Sequence, residues 1–170
     1  MSNNTIMIGP VETSAGTYSA ALTSHGLARL SFPTDAPEEC ARWAARWEPR
    51  AKLAAPDQRF GELAEQLSEY FAGRLRVFAV ALDLRGTPFQ LRVWHELLAI
   101  GYGQARTYAQ LAAAIGAPRG FRAVGAANGA NPVPIIVPCH RLVGSGGSLI
   151  KYGGGLEVKR RLLELEGVAI

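Results

Sequence analysis

The first half of the chain alternates short apolar strands with amphipathic helical stretches. Two apolar runs are separated by Ser24-His-Gly26, a pattern typical of a β-hairpin. Farther along, aromatic and leucine positions recur at helical spacing until Gly73. This half is therefore predicted to be a small α/β unit. The predicted elements are strands at Thr17–Leu22, Leu27–Phe32 and Val77–Leu82, and helices at residues 37–48 and 57–72.

The second half opens with two similar helix starts, Thr87-Pro-Phe-Gln90 and Thr107-Tyr-Ala-Gln110. A threonine N-cap followed by glutamine at N3 is a capping box. We expect these helices to end at Gly101 and Gly116 and a third to begin near Arg119, which is a helix-turn-helix pattern. Residues predicted to face inward are Phe89, Val93, Trp94, Leu97, Leu98, Leu111, Ala112, Ile115, Phe121 and Val124. The third helix has a small outer face, made of Gly125, Ala126, Ala127, Gly129 and Ala130.

Charge divides the chain near Gly86, where a turn-like Leu84-Arg-Gly-Thr-Pro88 separates the halves. Residues 1–86 hold nine basic and ten acidic side chains, whereas residues 101–161 hold eight basic ones and one acid, Glu157. We therefore predict domains at 1–86 and 87–170, the second suited to a polyanion. Its basic residues are Arg106, Arg119, Arg122, Arg141, Lys151, Lys159, Arg160 and Arg161.

The candidate chemistry lies in Asn131-Pro-Val-Pro-Ile-Ile-Val-Pro-Cys-His-Arg141. Prolines restrict the backbone around a short apolar run, so Cys139 is expected to be held in one place. A thiolate is the reactive form of cysteine, and His140 is a candidate for drawing off its proton. On the residues alone, a buried structural cysteine is an equal alternative.

The sequence predicts no metal site, no cofactor site and no membrane partner. The two cysteines and three histidines lack the close paired spacing of zinc sites, so neither metal nor cofactor is expected. Neither a secretory leader nor an apolar run of bilayer-crossing length is evident, and this predicts a cytoplasmic, reduced protein without a membrane partner.

Taken together, the motifs from Thr87 to Gly167 resemble the O6-alkylguanine-DNA alkyltransferases, also called methylated-DNA–protein-cysteine methyltransferases. The resemblance is carried by five ordered segments, namely Thr107-Tyr-Ala-Gln-Leu111, Arg122-Ala-Val-Gly125, Asn131-Pro-Val-Pro134, Pro138-Cys-His-Arg141 and Tyr152-Gly-Gly-Gly155, with a closing Leu165-Glu-Gly167. It implies a ribonuclease-H-like α/β N-terminal domain followed by a mostly helical domain with a helix-turn-helix. It also implies repair of duplex DNA, in which the damaged guanine is flipped out and its O6-alkyl group moves once and irreversibly to the protein's cysteine. Whether O4-alkylthymine is also repaired stays open.

The resemblance also assigns roles to individual residues. Cys139 is the alkyl acceptor, His140 and Glu166 form the water-linked network that takes its proton, Tyr108 donates a proton toward the guanine, and Asn131 orders the cysteine segment. Arg122 is the arginine that fills the space of the flipped base. The other expected DNA contacts are Thr107, Gly125, Ala126, Ala127, Arg141 and Lys151, and the expected alkyl pocket is Tyr152, Pro134, Ile150 and Gly153. A monomer associated with the nucleoid is expected, and whether it clusters along DNA stays open.

One departure from the family pattern is Ile150-Lys151, where small residues are usual before Tyr152. The bulky isoleucine predicts a narrower pocket that accepts methyl more readily than benzyl adducts. Two other functions remain open from the residues: a protein that recognises alkylated bases without chemistry, and a cysteine hydrolase using Cys139 and His140. A hydrolase turns over repeatedly, an alkyltransferase stops after one event, and a recognition protein never reacts.

Overall fold

The computed structural model describes residues 4–169 and has a mixed α/β fold. It divides into two compact units, the first ending at Arg85 and the second beginning at Gly86. Within residues 4–169 there are six strands and six α-helices. In chain order they are β1 (Thr5–Thr13), β2 (Gly16–Leu22), β3 (Leu27–Ser31), α1 (Glu39–Trp47), β4 (Lys52–Ala54), α2 (Gln58–Phe71), α3 (Pro88–Leu98), β5 (Arg106–Thr107), α4 (Tyr108–Ala114), α5 (Phe121–Gly129), β6 (Leu142–Val143) and α6 (Leu156–Leu165).

The first unit is a four-stranded sheet in the order β3-β2-β1-β4. Strands β1, β2 and β3 pair antiparallel, whereas β4 runs parallel to β1. The predicted hairpin and both predicted helices are confirmed, because their turn residues and apolar spacing act locally. Trp43 and Cys40 of α1 are buried in this unit's core, as a packing role requires.

Three parts of the first unit were predicted incorrectly. Strand β1 was missed, because Gly9 and Pro10 interrupt its pattern, and the three-residue strand β4 was missed as well. Val77–Leu82 was predicted as a strand, but within it only Leu82 makes an isolated bridge, to Leu27, and Val77 is 79% exposed. A β-branched run becomes a strand only if a partner edge is available, and the sequence does not show that partner.

The second unit is built from α3, α4, α5 and α6 with the small parallel pair β5-β6. Both capping boxes are present: the hydroxyl of Thr87 accepts from the N–H of Gln90 at 3.2 Å, and that of Thr107 from the N–H of Gln110 at 3.1 Å. The starts predicted for α3 and α4 are therefore confirmed. The pair β5-β6 matters for the chemistry, because Thr107 pairs with Val143 and so sets the start of α4 beside the chain that follows Cys139.

Most of the residues predicted to face inward in the second unit are buried, and the exceptions lie near the ends of the helices. Val93, Trp94 and Leu97 of α3 are buried, and the indole N–H of Trp94 donates to the carbonyl of Ala127 at 2.8 Å. Leu98, however, is 40% exposed. The prediction for it was wrong because a wide apolar stripe does not show where the partner surface ends. Phe89 and Ile115 are half-buried.

Candidate active site

Cys139 opens a single 3₁₀ turn, Cys139–Arg141, inside a buried stretch that runs from residue 131 to residue 144. Its side chain is 4% exposed. Asn131 fixes the segment at both ends: its amide donates to the carbonyl of Val137 at 2.8 Å, and its side-chain oxygen accepts from the N–H of Val133 at 3.0 Å. The thiol therefore sits on backbone that is held by a buried side chain and three prolines, as the sequence predicts for a positioned nucleophile.

The same segment contains a strained residue. Ile135 has a φ of +73°, in the left-handed region that β-branched residues avoid. Such a conformation costs of order 1–3 kcal/mol and persists only where the surroundings determine it. Here the N–H groups of Ile136 and Val137 donate to Pro134 and Val133 on either side of it. The strain is concentrated four residues before the thiol.

His140, Arg141 and Glu166 form a buried cluster. The Nε2 of His140 lies 2.8 Å from Glu166 Oε1, and Arg141 donates to both oxygens of the same carboxylate at 2.8 and 2.9 Å. The third Arg141 donor bonds the carbonyl of Ile100 at 2.5 Å. Since Glu166 accepts from Nε2, the other ring nitrogen of a neutral His140 is the basic one. The structure thus brings together His140 and Glu166, which are 26 residues apart in sequence.

Burial sets the ionisation of the site. It raises the pKa of the Cys139 thiol, while hydrogen bonds from Asn131 and Tyr152 and the positive charge of Lys159 act in the opposite direction. It also lowers the pKa of His140, although Glu166 opposes that shift. At neutral pH the resting site therefore holds a neutral thiol and a neutral imidazole, so no imidazolium cation stabilises a preformed thiolate.

Lys159 is the residue that the sequence analysis missed as part of the site. It is fully buried, and its ammonium donates to the carbonyls of Leu142 at 2.5 Å and Ile150 at 3.0 Å. Burial lowers its pKa to about 8, and a Cys139 thiolate would raise it. The clue in the sequence is spacing, because Lys159, Leu162, Leu163 and Glu166 fall on one face of α6.

Tyr108 is the first residue of α4 and is half-buried. Burial raises the pKa of its hydroxyl, and the charge of Cys139 raises it further, so the hydroxyl stays protonated and able to donate at neutral pH. Its ring lies against α5 at Gly125, where an added Cβ would be 3.8 Å from two ring carbons. The structure therefore sets the Tyr108 ring against α5, near enough to Cys139 for the charge of a thiolate to act on its hydroxyl.

The expected pocket residues differ in exposure. Pro134 and Tyr152 are buried, Gly153 is exposed, and Ile150 is 44% exposed. The Ile150 side chain leans over Gly144, where an added Cβ would come within 2.6 Å of its Cδ1. Its carbonyl is the one that Lys159 holds.

Two of the expected DNA contacts are corrected by the structure. Arg141 is 7% exposed and its guanidinium is committed to Glu166 and Ile100, so it is part of the buried cluster and not a phosphate ligand. Ala127 is 3% exposed and packs inward beside Trp94. Lys159, counted above in the basic set, is likewise buried. Charge and composition alone cannot tell a surface cation from one that is buried with its partner.

The remaining expected contacts are at least partly exposed. Arg122, Ala126 and Lys151 are exposed, and Thr107 and Gly125 are half-buried. Phe121, predicted to face inward, is 49% exposed, whereas Val124 is fully buried. Residues 4–169 contain no cluster of three or more histidine, cysteine, aspartate or glutamate side chains arranged to hold a metal. In the same range no helix is both long and apolar enough to span a bilayer.

Comparison with known proteins identifies the family. Residues 88–168 match the family described as the DNA-binding domain of 6-O-methylguanine DNA methyltransferase. The methylated-DNA–protein-cysteine methyltransferase of Mycobacterium bovis is 55% identical over 121 residues, which cover 71% of this chain and 73% of that protein. The inducible enzyme of the same name from Bacillus subtilis is 42% identical over 146 residues, covering 86% and 82%.

A solved structure extends the likeness over both units. The crystal structure of Mycobacterium tuberculosis OGT in complex with DNA matches with a TM-score of 0.79 and 41% identity, covering 95% of this chain and 92% of that one. With a buried cysteine, a His-Glu pair and relatives of this similarity, the chain belongs to the methylated-DNA–protein-cysteine methyltransferase family, whose members repair alkylated DNA by direct reversal.

Proposed function

We propose that this chain repairs duplex DNA by moving the alkyl group, above all methyl, from O6 of a flipped-out guanine to the sulfur of Cys139. The observation that carries the assignment of Cys139 is its place on a fixed, buried turn directly before the His140–Glu166 pair. A buried structural thiol needs no adjoining base. O4-alkylthymine presents a similar oxygen–carbon bond and is a second possible substrate.

The chemistry is a displacement in which atoms balance without a cofactor. The sulfur of Cys139 forms a bond to the alkyl carbon as the carbon–O6 bond breaks, and the electron pair of that bond goes to the guanine. The thiol proton leaves through His140, by way of water, and an equivalent proton reaches the guanine ring from Tyr108, which is restored in turn. The thioether product is stable, so each chain reacts once.

In this proposal the site keeps the Cys139 thiol protonated at rest and stabilises the thiolate only as it develops during alkyl transfer. At rest the thiol is protonated because burial raises its pKa. The ammonium of Lys159 favours the thiolate that develops during transfer, and Glu166 stabilises the protonated His140. A thiol that stays neutral until then is protected from oxidation, since oxidation proceeds from the thiolate.

We also propose that α4 and α5 form a helix-turn-helix that presents α5 to the minor groove. Their contact, the short connection through Gly116 and Gly120, and the exposure of Arg122 and Ala126 support this. Arg122 then fills the gap left by the extruded base. Thr107, Gly125 and Lys151 supply the nearby contacts.

The first unit serves as a scaffold in this proposal. Its order β3-β2-β1-β4, antiparallel except for the parallel β4, supports a ribonuclease-H-like assignment. The second unit, from Gly86 onward, carries both DNA binding and alkyl transfer. Because its substrate lies in duplex DNA, we expect the protein to associate with the nucleoid.

Product counting tests the proposal. With a tenfold excess of duplex containing O6-methylguanine, the amount of repaired guanine should rise to one equivalent per chain and stop. The variant Cys139→Ser should bind the same duplex and repair none of it. Repeated turnover would contradict single transfer, and binding without any repair by the unaltered protein would identify a recognition protein instead.

A further inference from the structure

Phe121 is a large aromatic residue in an unexpected place. Its spacing from Val124 and Asn128 matches the inward face of α5, yet 49% of it is exposed while both of those residues are buried. It begins the helix directly after Gly120, so it lies beyond the surface that α5 packs against. The ring contributes little to the core, and its exposure needs another explanation.

The surroundings of Phe121 are cationic. Arg122 follows it and Arg119 precedes it by two residues, and both are exposed, as is Ala123. The exposed ring is therefore flanked in sequence by two exposed arginines, Arg119 just before α5 and Arg122 within its first turn, and no acidic residue occurs from 119 to 130. A protein partner with an apolar patch would bury the arginines at a cost, whereas a nucleic acid has phosphates for the cations and base faces for the ring.

We propose that Phe121 is a wedge that enters the duplex from the minor groove and stacks beside the nucleotide that is flipped out. The inference rests on the proposed function and deepens it: Arg122 fills the vacated space, and Phe121 keeps the adjoining base step open. Apolar side chains inserted between base steps are a recurrent device of minor-groove proteins, which exchange stacking between bases for stacking on the protein. The arginines supply sequence-independent attraction, so the wedge is expected to act in any sequence context.

The variants that test this are Phe121→Ala, which removes the ring, and Phe121→Leu, which keeps an apolar side chain without an aromatic face. Leu98→Ala is the matched control, because Leu98 is another exposed apolar residue of the same unit, at 40%, on α3. Each protein is given one O6-methylguanine either in a duplex or in the corresponding single strand. Methyl transfer is timed, and 2-aminopurine next to the lesion reports unstacking by fluorescence.

We expect Phe121→Ala to react about tenfold or more slowly with the duplex, the size of one lost aromatic–base stacking contact, and to lose most of the fluorescence rise. Its rate on the single strand, where base stacking offers little resistance, should stay within about twofold of the unaltered protein. Phe121→Leu should lie between, and Leu98→Ala should behave as unaltered.

Three results would overturn the wedge. One is a Phe121→Ala protein with unaltered duplex rate and fluorescence, and another is an equal loss on single strand and duplex, which indicates general damage to the unit. The third is altered self-association in sedimentation with unchanged fluorescence, which would assign the ring to contact with a second copy. The fluorescence does not require chemistry: if the unaltered protein unstacks the probe through Phe121 but transfers no methyl group, the proposed transfer fails and the wedge stands.

Discussion

Replacing Glu166 with alanine removes the one carboxylate that serves both His140 and Arg141. The side chain of Glu166 is fully buried and accepts three hydrogen bonds from these two residues. Without it the guanidinium of Arg141 stays buried without a counter-charge, and breaking a buried pair in this way costs about 3–5 kcal/mol. An acidic side chain at a helix C-terminus costs only about 0.3–1 kcal/mol against the helix dipole. The stabilisation by the ion pair is larger than this cost, which explains why Glu166 is tolerated at the end of α6.

Glu166→Gln tests the charge separately from the shape. The amide keeps the volume but turns charge-assisted hydrogen bonds into neutral ones, each weaker by roughly 1 kcal/mol, so a loss of about 2–3 kcal/mol is expected. Because an amide no longer stabilises protonated His140, methyl transfer should slow by about 100-fold or more. Glu164→Ala is the control, since Glu164 is exposed two residues earlier on α6, and it should change stability by less than about 0.5 kcal/mol.

The assay is hydrogen exchange with mass spectrometry in increasing urea, because it reports the free energy of opening for peptides of the second unit separately from the first. Adding Arg141→Met to Glu166→Gln should recover part of the loss, since removal of both charges leaves none uncompensated. A Glu166→Ala protein as stable as Glu164→Ala, or a double variant in which the two losses of stability simply add, would show that Glu166 does not compensate the buried charge of Arg141.

Four further outcomes are expected. Because burial lowers the pKa of His140 below 6.5, the unfolded state takes up a proton before the folded state does as the pH falls. The free energy of unfolding should therefore drop below pH 6.5 by up to about 1.4 kcal/mol per pH unit. Denaturant unfolding at pH 7.5 and pH 5.5 measures this drop, which should be smaller in His140→Gln. Lys159→Met should slow methyl transfer in single-turnover assays, and an unchanged rate would remove Lys159 from the site. Arg122→Ala should weaken repair of duplex far more than of single strand, measured as single-turnover rates; equal effects would exclude a role in base flipping. Ile150→Gly should raise the rate with benzylated relative to methylated guanine in one duplex, whereas an unchanged ratio would show that Ile150 does not limit the pocket.

Local features of the structure were predictable from the sequence. The starts of α3 and α4 follow from threonine and glutamine at fixed offsets, and the hairpin of β2 and β3 from a glycine turn, because these interactions involve residues three or four apart. The positioned Cys139 was predicted in the same way, from prolines adjacent to it in the chain.

Non-local features were not predictable from pattern alone. Whether Arg141 binds phosphate or Glu166 depends on how the end of α6 packs against the turn that contains Cys139. The same packing buries Lys159, whose ammonium donates to the carbonyl of Leu142. Ala127 was expected to be exposed and is buried, whereas Phe121 was expected to be buried and is 49% exposed. Helical spacing defines which residues share a face, but it does not show where the surface that covers this face ends. The pairing of His140 with Glu166 was expected only through family resemblance.

Peptide mapping shows whether Cys139 accepts the alkyl group. The protein is mixed with a duplex carrying one O6-methylguanine, and its intact mass and its proteolytic fragments are measured. A gain of one methyl group per chain is expected, located on Cys139, with Cys40 unmodified because it packs in the hydrophobic core of the other unit, apart from His140 and Glu166. A methyl group on any other residue, or repaired DNA with an unchanged protein mass, would contradict this role of Cys139.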